Sequence, residues 1–194
     1  MSSTRLPGKV LREMAGRPML EWVIDAAETS ILLDKTIVAT AADISNKPIS
    51  ELCSGKKIDV YVGSMDDVLD RYYRAALHIK PTIIVRLTGD CPLLTGSIID
   101  DTIRTHLNGD YRYTVNEVDG VDVEVFGYDT LLRAHKLATD PQDREHVTRW
   151  IRNKYPAQIT HFGKGEGILS VNTEEELGRV EKCLKNRRSY LTVL

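Results

Sequence analysis

An α/β fold on a mostly parallel sheet is predicted by three features of this sequence. Short β-branched runs alternate with amphipathic stretches of helical period, the segments joining them are short, and the apolar content suffices for one core. With 194 residues, 42% hydrophobic and 28% charged, the chain is read as a single domain over 1–194.

The elements follow in order. Pro18 suits a first helical position, and Met19, Leu20, Trp22, Val23, Ala26 and Ala27 form an apolar stripe at helical spacing. Lys35 to Thr40 (KTIVAT) reads as a buried strand, NKPISELCS as a short helix started by Pro48, and Asp59 to Gly63 as a second strand. SMDDVLDRYYRAALHI is amphipathic, with Val68, Leu69, Tyr72, Ala75 and Ala76 on one side. TIIVRLTGD is a β-branched strand running into Gly89 and Asp90, and Ser97 is expected to cap a helix reaching about Leu107. YRYTV and VDVEVFGY read as two strands joined by a turn at Asp119 and Gly120, followed by helices near Thr130–Ala138 and Arg144–Asn153. Short strands are expected near Gln158–Phe162 and Ile168–Val171. Thr173, with Glu176 three residues on, makes a capping box for a last helix. No internal repeat or linker interrupts the series.

Charge excludes some function classes. With 26 basic and 28 acidic side chains the net charge is -2, so neither nucleic acid nor a membrane surface is an expected partner; KNRR at 185–188 reads as a solvated helix end. Apolar runs are short and no charged-then-apolar leader opens the chain, so a cytoplasmic protein is expected. Cys53, Cys91 and Cys183 are widely spaced and not in CxxC pairs, the usage of reduced structural thiols.

Two stretches carry candidate chemistry. In MSSTRLPGK, the Ser3 and Thr4 hydroxyls, backbone N–H groups around Gly8, and the charges of Arg5 and Lys9 could hold a polyphosphate; the alternative is a solvated terminus. Val10 follows Lys9 where a Walker loop has Ser or Thr, which disfavours a P-loop kinase. In VRLTGDCPLL, Gly89 allows a sharp turn and Asp90 then projects a carboxylate at the sheet edge, suited to holding Mg²⁺ against a phosphate or to starting a turn before Pro92. Asp122 and Glu124 alternate with Val121, Val123 and Val125, which fits either a functional pair or the solvent face of an edge strand. Arg86 inside an apolar strand needs a partner, and Arg144, Glu145 and His146 look like the opening of a helix.

SSTRLPGKVLREMAGRPMLEWVI, GSMDDVLDRYYRAA, IIVRLTGDCPLL, VDVEVF and REHVTRWIRN, in this order, resemble the cytidylyltransferases that activate acidic sugars, most of all the spore-coat polysaccharide branch. The resemblance implies a three-layer Rossmann-like nucleotide-diphosphosugar transferase fold. It also implies a Mg²⁺-dependent reaction in which CTP and a sugar give a CMP-sugar and pyrophosphate, in a protein that is a homodimer. On the matching positions, Ser3, Arg5 and Lys9 belong to the triphosphate loop, Asp90 to the metal and catalysis, and Gly63, Ser64 and Asp67 to the nucleotide pocket. Arg86, Asn116, Asp122, Glu124, Arg144 and His146 fall on the sugar side.

The chain departs from the family in three places. The apolar strand ending in Ala-Arg that precedes the loop in these relatives is not in this sequence, so the sheet is expected to lack that first strand. Asn172 stands where the family has a second metal-binding Asp, and HFGKGEG has no obvious counterpart. The alternative to an active enzyme is therefore a catalytically reduced relative that binds nucleotide or sugar or serves as an interaction module. A family 2 glycosyltransferase is disfavoured, because MDDV and IDDT lie at helix starts rather than after strands.

Overall fold

The computed structural model describes residues 6–163 and 170–191. Its strands are β1 (Glu13–Met14), β2 (Arg17–Pro18), β3 (Ile37–Ala41), β4 (Asp59–Gly63), β5 (Ile83–Arg86), β6 (Tyr113–Asn116), β7 (Val123–Gly127) and β8 (Ala157–Thr160). Its helices are α1 (Met19–Glu28), α2 (Lys47–Gly55), α3 (Val68–Leu77), α4 (Gly96–Asn108), α5 (Tyr128–Leu137), α6 (Pro141–Glu145), α7 (Arg149–Lys154) and α8 (Glu174–Leu191).

The larger sheet runs β5-β7-β6-β8, and β3 pairs in parallel with β4. β7 is antiparallel to both neighbours while β6 and β8 are parallel, so β5, β6 and β8 share one direction and β7 alone is reversed. This is the mostly parallel α/β arrangement expected. Alternation sorts the side chains of β7: Val123 and Val125 join α1, α4 and α8 in one apolar cluster, while Phe126 joins α3, α5 and α7 in another. Helices therefore cover both faces.

That placement settles one alternative left open by the sequence. β7 is an interior strand, and Glu124 is only 5% exposed, so VDVEVF is not an edge strand with a solvated face. Other expectations are corrected locally. The cap of α4 is Thr95, not Ser97: Thr95 is extended and its hydroxyl accepts from the Ile98 N–H. The helix expected over Arg144–Asn153 is two helices. Asp140 and Pro141 start α6 early, and the chain leaves helical geometry at His146 so that Val147 can enter the core. Arg144 and Glu145 thus close a helix rather than open one. Of the strand expected near 168–171, residues 168 and 169 lie outside the described residues, and Ser170 and Val171 are not in a strand.

β3 and β5 face each other without pairing. A cavity of about 1070 Å³ lies between them, lined by Val23 and Ile24 of α1, Val68 and Tyr72 of α3, and the apolar side chains of both strands. Among the described residues no strand occupies it. No described helix is long and apolar enough to cross a membrane.

Amides of β7, bonded on both sides, should exchange with solvent more than ~10-fold more slowly than the amides of β3 and β5 that point into the cavity. Hydrogen exchange read by NMR checks this. Equal protection would mean that the interval is closed in solution.

Candidate functional site

The site is assembled from the opening turn, the end of β5 and the segment entering α8. Leu6 is buried and anchors the turn, and Gly8 takes a left-handed conformation (φ 66) that a side chain would disfavour. The chain then makes a single 3-10 turn over Lys9–Leu11. Gly89 serves differently from the expectation, since it is not among the positive-φ glycines. A Cβ there would approach Val10 Cγ1 to 3.2 Å, so the bare backbone lets the opening turn pack on the end of β5.

This packing brings Lys9 Nζ to 2.6 Å from Asp90 Oδ2 and 3.0 Å from Asn172 Oδ1. Asn172 is held from behind. The Glu176 carboxylate of the capping box accepts from the backbone N–H groups of Asn172 and Thr173, and the Val171 N–H donates to the Asp90 carbonyl at 2.9 Å. Burial pushes the Asp90 carboxyl up, but the hydrogen bond and charge of Lys9 outweigh it, leaving its pKa below the usual carboxylate value.

The two oxygens converging on one ammonium suit a small divalent cation. Mg²⁺ needs only one or two protein oxygens when phosphates supply others, so Asp90 and Asn172 fit it, although no cluster of three or more His, Cys, Asp or Glu with metal-binding geometry occurs among the described residues.

A second pocket of about 420 Å³ adjoins the first cavity, and both are lined by Arg86, Thr88 and Asp90. Its other walls include Glu117, Asp119, Asp122, Glu124, Arg152 and Ser170. Arg86 pairs with Glu124, which also accepts from Tyr113 Oη and from Thr148 Oγ1 at 2.7 Å. Burial would raise Glu124, yet the Arg86 charge and these donors keep it below its ordinary value. Asp122 is raised by burial. The Cys91 thiol, pushed up by burial and by Asp90, stays protonated and donates to Asp122 at 3.5 Å. All three cysteines are free, as expected.

The remaining sequence candidates are placed as follows. Ser3 and Arg5 lie outside the described residues. Gly63 needs its missing side chain, since a Cβ would fall 2.8 Å from the Tyr61 ring. The Ser64 hydroxyl accepts from the Asp67 N–H, and Asp67 caps α3 through the Asp70 N–H. Arg144 does not reach the second pocket, because it donates to Asp67 and to the His135 carbonyl. His146 is exposed and lines neither cavity. Asn116 is a buried clamp: its amide donates to the Val121 and Phe162 carbonyls and accepts from Thr160 Oγ1 and the Phe162 N–H. Residues not singled out from sequence also matter. Asp119, Arg152 and Ser170 come to the second pocket from separate segments, and Arg71, one turn after Asp67, puts a partly buried guanidinium on the wall of the larger cavity.

The chain as a whole is similar to known proteins. The family model described as cytidylyltransferase matches residues 1–191. An uncharacterized protein of Methanocaldococcus jannaschii is 40% identical over 180 residues, covering 88% of this chain and 74% of its own. The spore coat polysaccharide biosynthesis protein SpsF of Bacillus subtilis is 34% identical over 190 residues, covering 91% and 79%. The solved structure of a cytidylyltransferase from Leptospira borgpetersenii superposes with a TM-score of 0.86 at 25% identity, covering 96% of this chain and 83% of that one.

Replacing Lys9 by Met should raise the Asp90 pKa, because burial would then be opposed only by the hydrogen bonds from Thr88 and from its own backbone N–H. Carbon-detected NMR titration of the Asp90 carboxyl measures this. A pKa unmoved by the substitution would show that Lys9 does not hold the carboxylate.

Proposed function

The chain belongs to the cytidylyltransferase family, and from that premise we propose that it transfers the cytidylyl group of CTP to a hydroxyl of a sugar, releasing pyrophosphate. The observation that carries this reading is the position of Asp90, on the common wall of a larger cavity and a smaller polar pocket, with a cation already bound to it. A nucleotide in the mouth of the larger cavity would present its phosphates to Lys9 and Asp90, and an acceptor in the smaller pocket would meet the α-phosphate from the other side. In-line displacement of this kind depends on positioning and charge neutralisation more than on covalent help.

In this reading Asp90 and Asn172 hold Mg²⁺, which when bound would neutralise charge on the phosphates. Lys9 then turns from Asp90 to the outer phosphates, and Arg5 of the same loop assists it. The base and ribose lie toward Gly63, Ser64 and the start of α3, where Arg71 supplies a donor. On the acceptor side Arg86, locked by Glu124, shapes the pocket floor. Asp122, with a carboxyl raised by burial and no cationic partner among the described residues, takes the proton of the attacking hydroxyl. The P–O bond to the sugar forms as the bond to pyrophosphate breaks. Asn116, Arg144 and His146 act in this scheme only by holding the frame. The family's work on acidic and related sugars, a cytoplasmic location and a homodimer complete the proposal.

Pyrophosphate release from CTP tests it. Asp90→Asn should abolish metal-dependent release while circular dichroism stays unchanged, and Asn172→Asp should lower the Mg²⁺ concentration needed by about tenfold by adding an anionic ligand. Lys9→Ala should weaken CTP more than CMP, since the lost contact is to the outer phosphates. A wild-type rate in Asp90→Asn would remove the assignment. CTP and sugar binding with no release under any metal would favour a catalytically reduced relative.

A further inference from the structure

Resting on the reading that the base and ribose lie toward Gly63, Ser64 and the start of α3, we propose that Arg144 is a positioning residue for the nucleotide. It lines neither cavity. It acts through Asp67, by fixing one wall of the larger cavity against another.

The first wall is the turn that enters α3, where Met65, Asp66, Val68 and Arg71 line the cavity. The second is α6, which contributes Pro141 and Glu145. Arg144 joins them across 77 positions of sequence: Nε donates to Asp67 Oδ2 at 2.9 Å and Nη2 to the same oxygen at 2.5 Å. The pair is partly shielded, with 21% and 32% of the two side chains exposed, so it is screened less than an open surface pair.

Both partners of Arg144 belong to helix ends. Nη1 donates at 2.7 Å to the His135 carbonyl in the last turn of α5, where carbonyls lack intrahelical partners and a cation is favoured. Asp67 caps α3, its Oδ1 accepting from the Asp70 N–H at 2.8 Å, and an anion is favoured at that end. One guanidinium thus connects the negative end of α5 to the carboxylate at the positive end of α3.

Asp67 passes this hold on to the cavity wall. Its N–H donates to Ser64 Oγ at 3.0 Å, its carbonyl accepts from the Arg71 N–H at 3.2 Å, and Arg71 Nη1 donates to the Ser64 carbonyl at 3.0 Å. The turn is closed on itself, and Arg144 sets its placement against α6. That helix is anchored in turn, since Arg149 donates to Asp140 at 3.0 Å and to Asp143 at 2.7 Å. The clasp shares no residue with the bridge of Lys9, Asp90 and Asn172. Its loss should therefore fall on the base and ribose, which CTP and CMP have in common.

Calorimetry of CTP and CMP tests the proposal. Arg144→Gln should weaken both by about fivefold and leave their ratio unchanged, whereas Lys9→Ala changes the ratio. Asp67→Asn keeps a side chain able to cap α3 but removes the charge, so it should cost as much, and the double variant should cost no more than either alone. Backbone amide shifts of the free Arg144→Gln protein should change only near 64–71, His135 and α6. Wild-type affinity in Arg144→Gln, a loss confined to CTP, additive losses in the double variant, or shifts spread through the core would overturn the proposal. If Arg144→Gln does not fold, Asp67→Asn decides alone, with the same expected losses and the same contrary results. A wild-type protein that binds neither nucleotide overturns the underlying reading as well.

Discussion

The bridge from Lys9 to Asp90 and Asn172 ties together three segments that are far apart in sequence. A partly buried carboxylate needs a cation or hydrogen-bond donors nearby, and here one ammonium serves both Asp90 and the amide oxygen facing it. Much of the local architecture follows from holding that arrangement. Leu6 and Gly8 shape the opening turn, Gly89 lets it approach the sheet, and the capping box of α8 fixes the backbone of Asn172. The lysine occupies the position between the two oxygens and balances the charge of Asp90; on the proposed reading a divalent cation replaces it there when nucleotide binds.

The second organising feature is the reversed interior strand β7. Because it lies between β5 and β6 with helices on both faces, its Glu124 must be buried, and a buried carboxylate in turn needs Arg86. That pair draws the charge of Arg86 inward and leaves the smaller pocket walled by Asp119 and Asp122. The polarity of the smaller pocket is therefore a consequence of sheet topology as much as of the individual residues that line it.

Much of this was legible in the sequence, and what was not has a physical reason. Strand and helix periods identified nearly every element from α1 to β7, because apolar alternation is a local property. Asp90 and Lys9 were legible as candidates from their glycine contexts, and the structure brings them together, although Gly89 acts through close approach to Val10 rather than through a special backbone angle. Tertiary partnerships were not legible. The clamp of Asn116 on Phe162, the ion pair of Arg144 with Asp67 and the pairing of buried Glu124 with Arg86 each depend on a residue distant in sequence. The split between α6 and α7 escaped because Val147 enters the core in a stretch whose period still looks helical. The convergence of Asp119, Arg152 and Ser170 leaves no spacing signal at all.

The central claim is that the cation between Asp90 and Asn172 is exchangeable, lysine at rest and a divalent ion when nucleotide is bound. A crystal structure of the protein with CTP and Mg²⁺ tests it most directly. The account predicts a metal between the Asp90 carboxylate and Asn172 Oδ1, with Lys9 Nζ moved onto the phosphates. Lys9 still bonded to Asp90, with the triphosphate bound elsewhere, would contradict it.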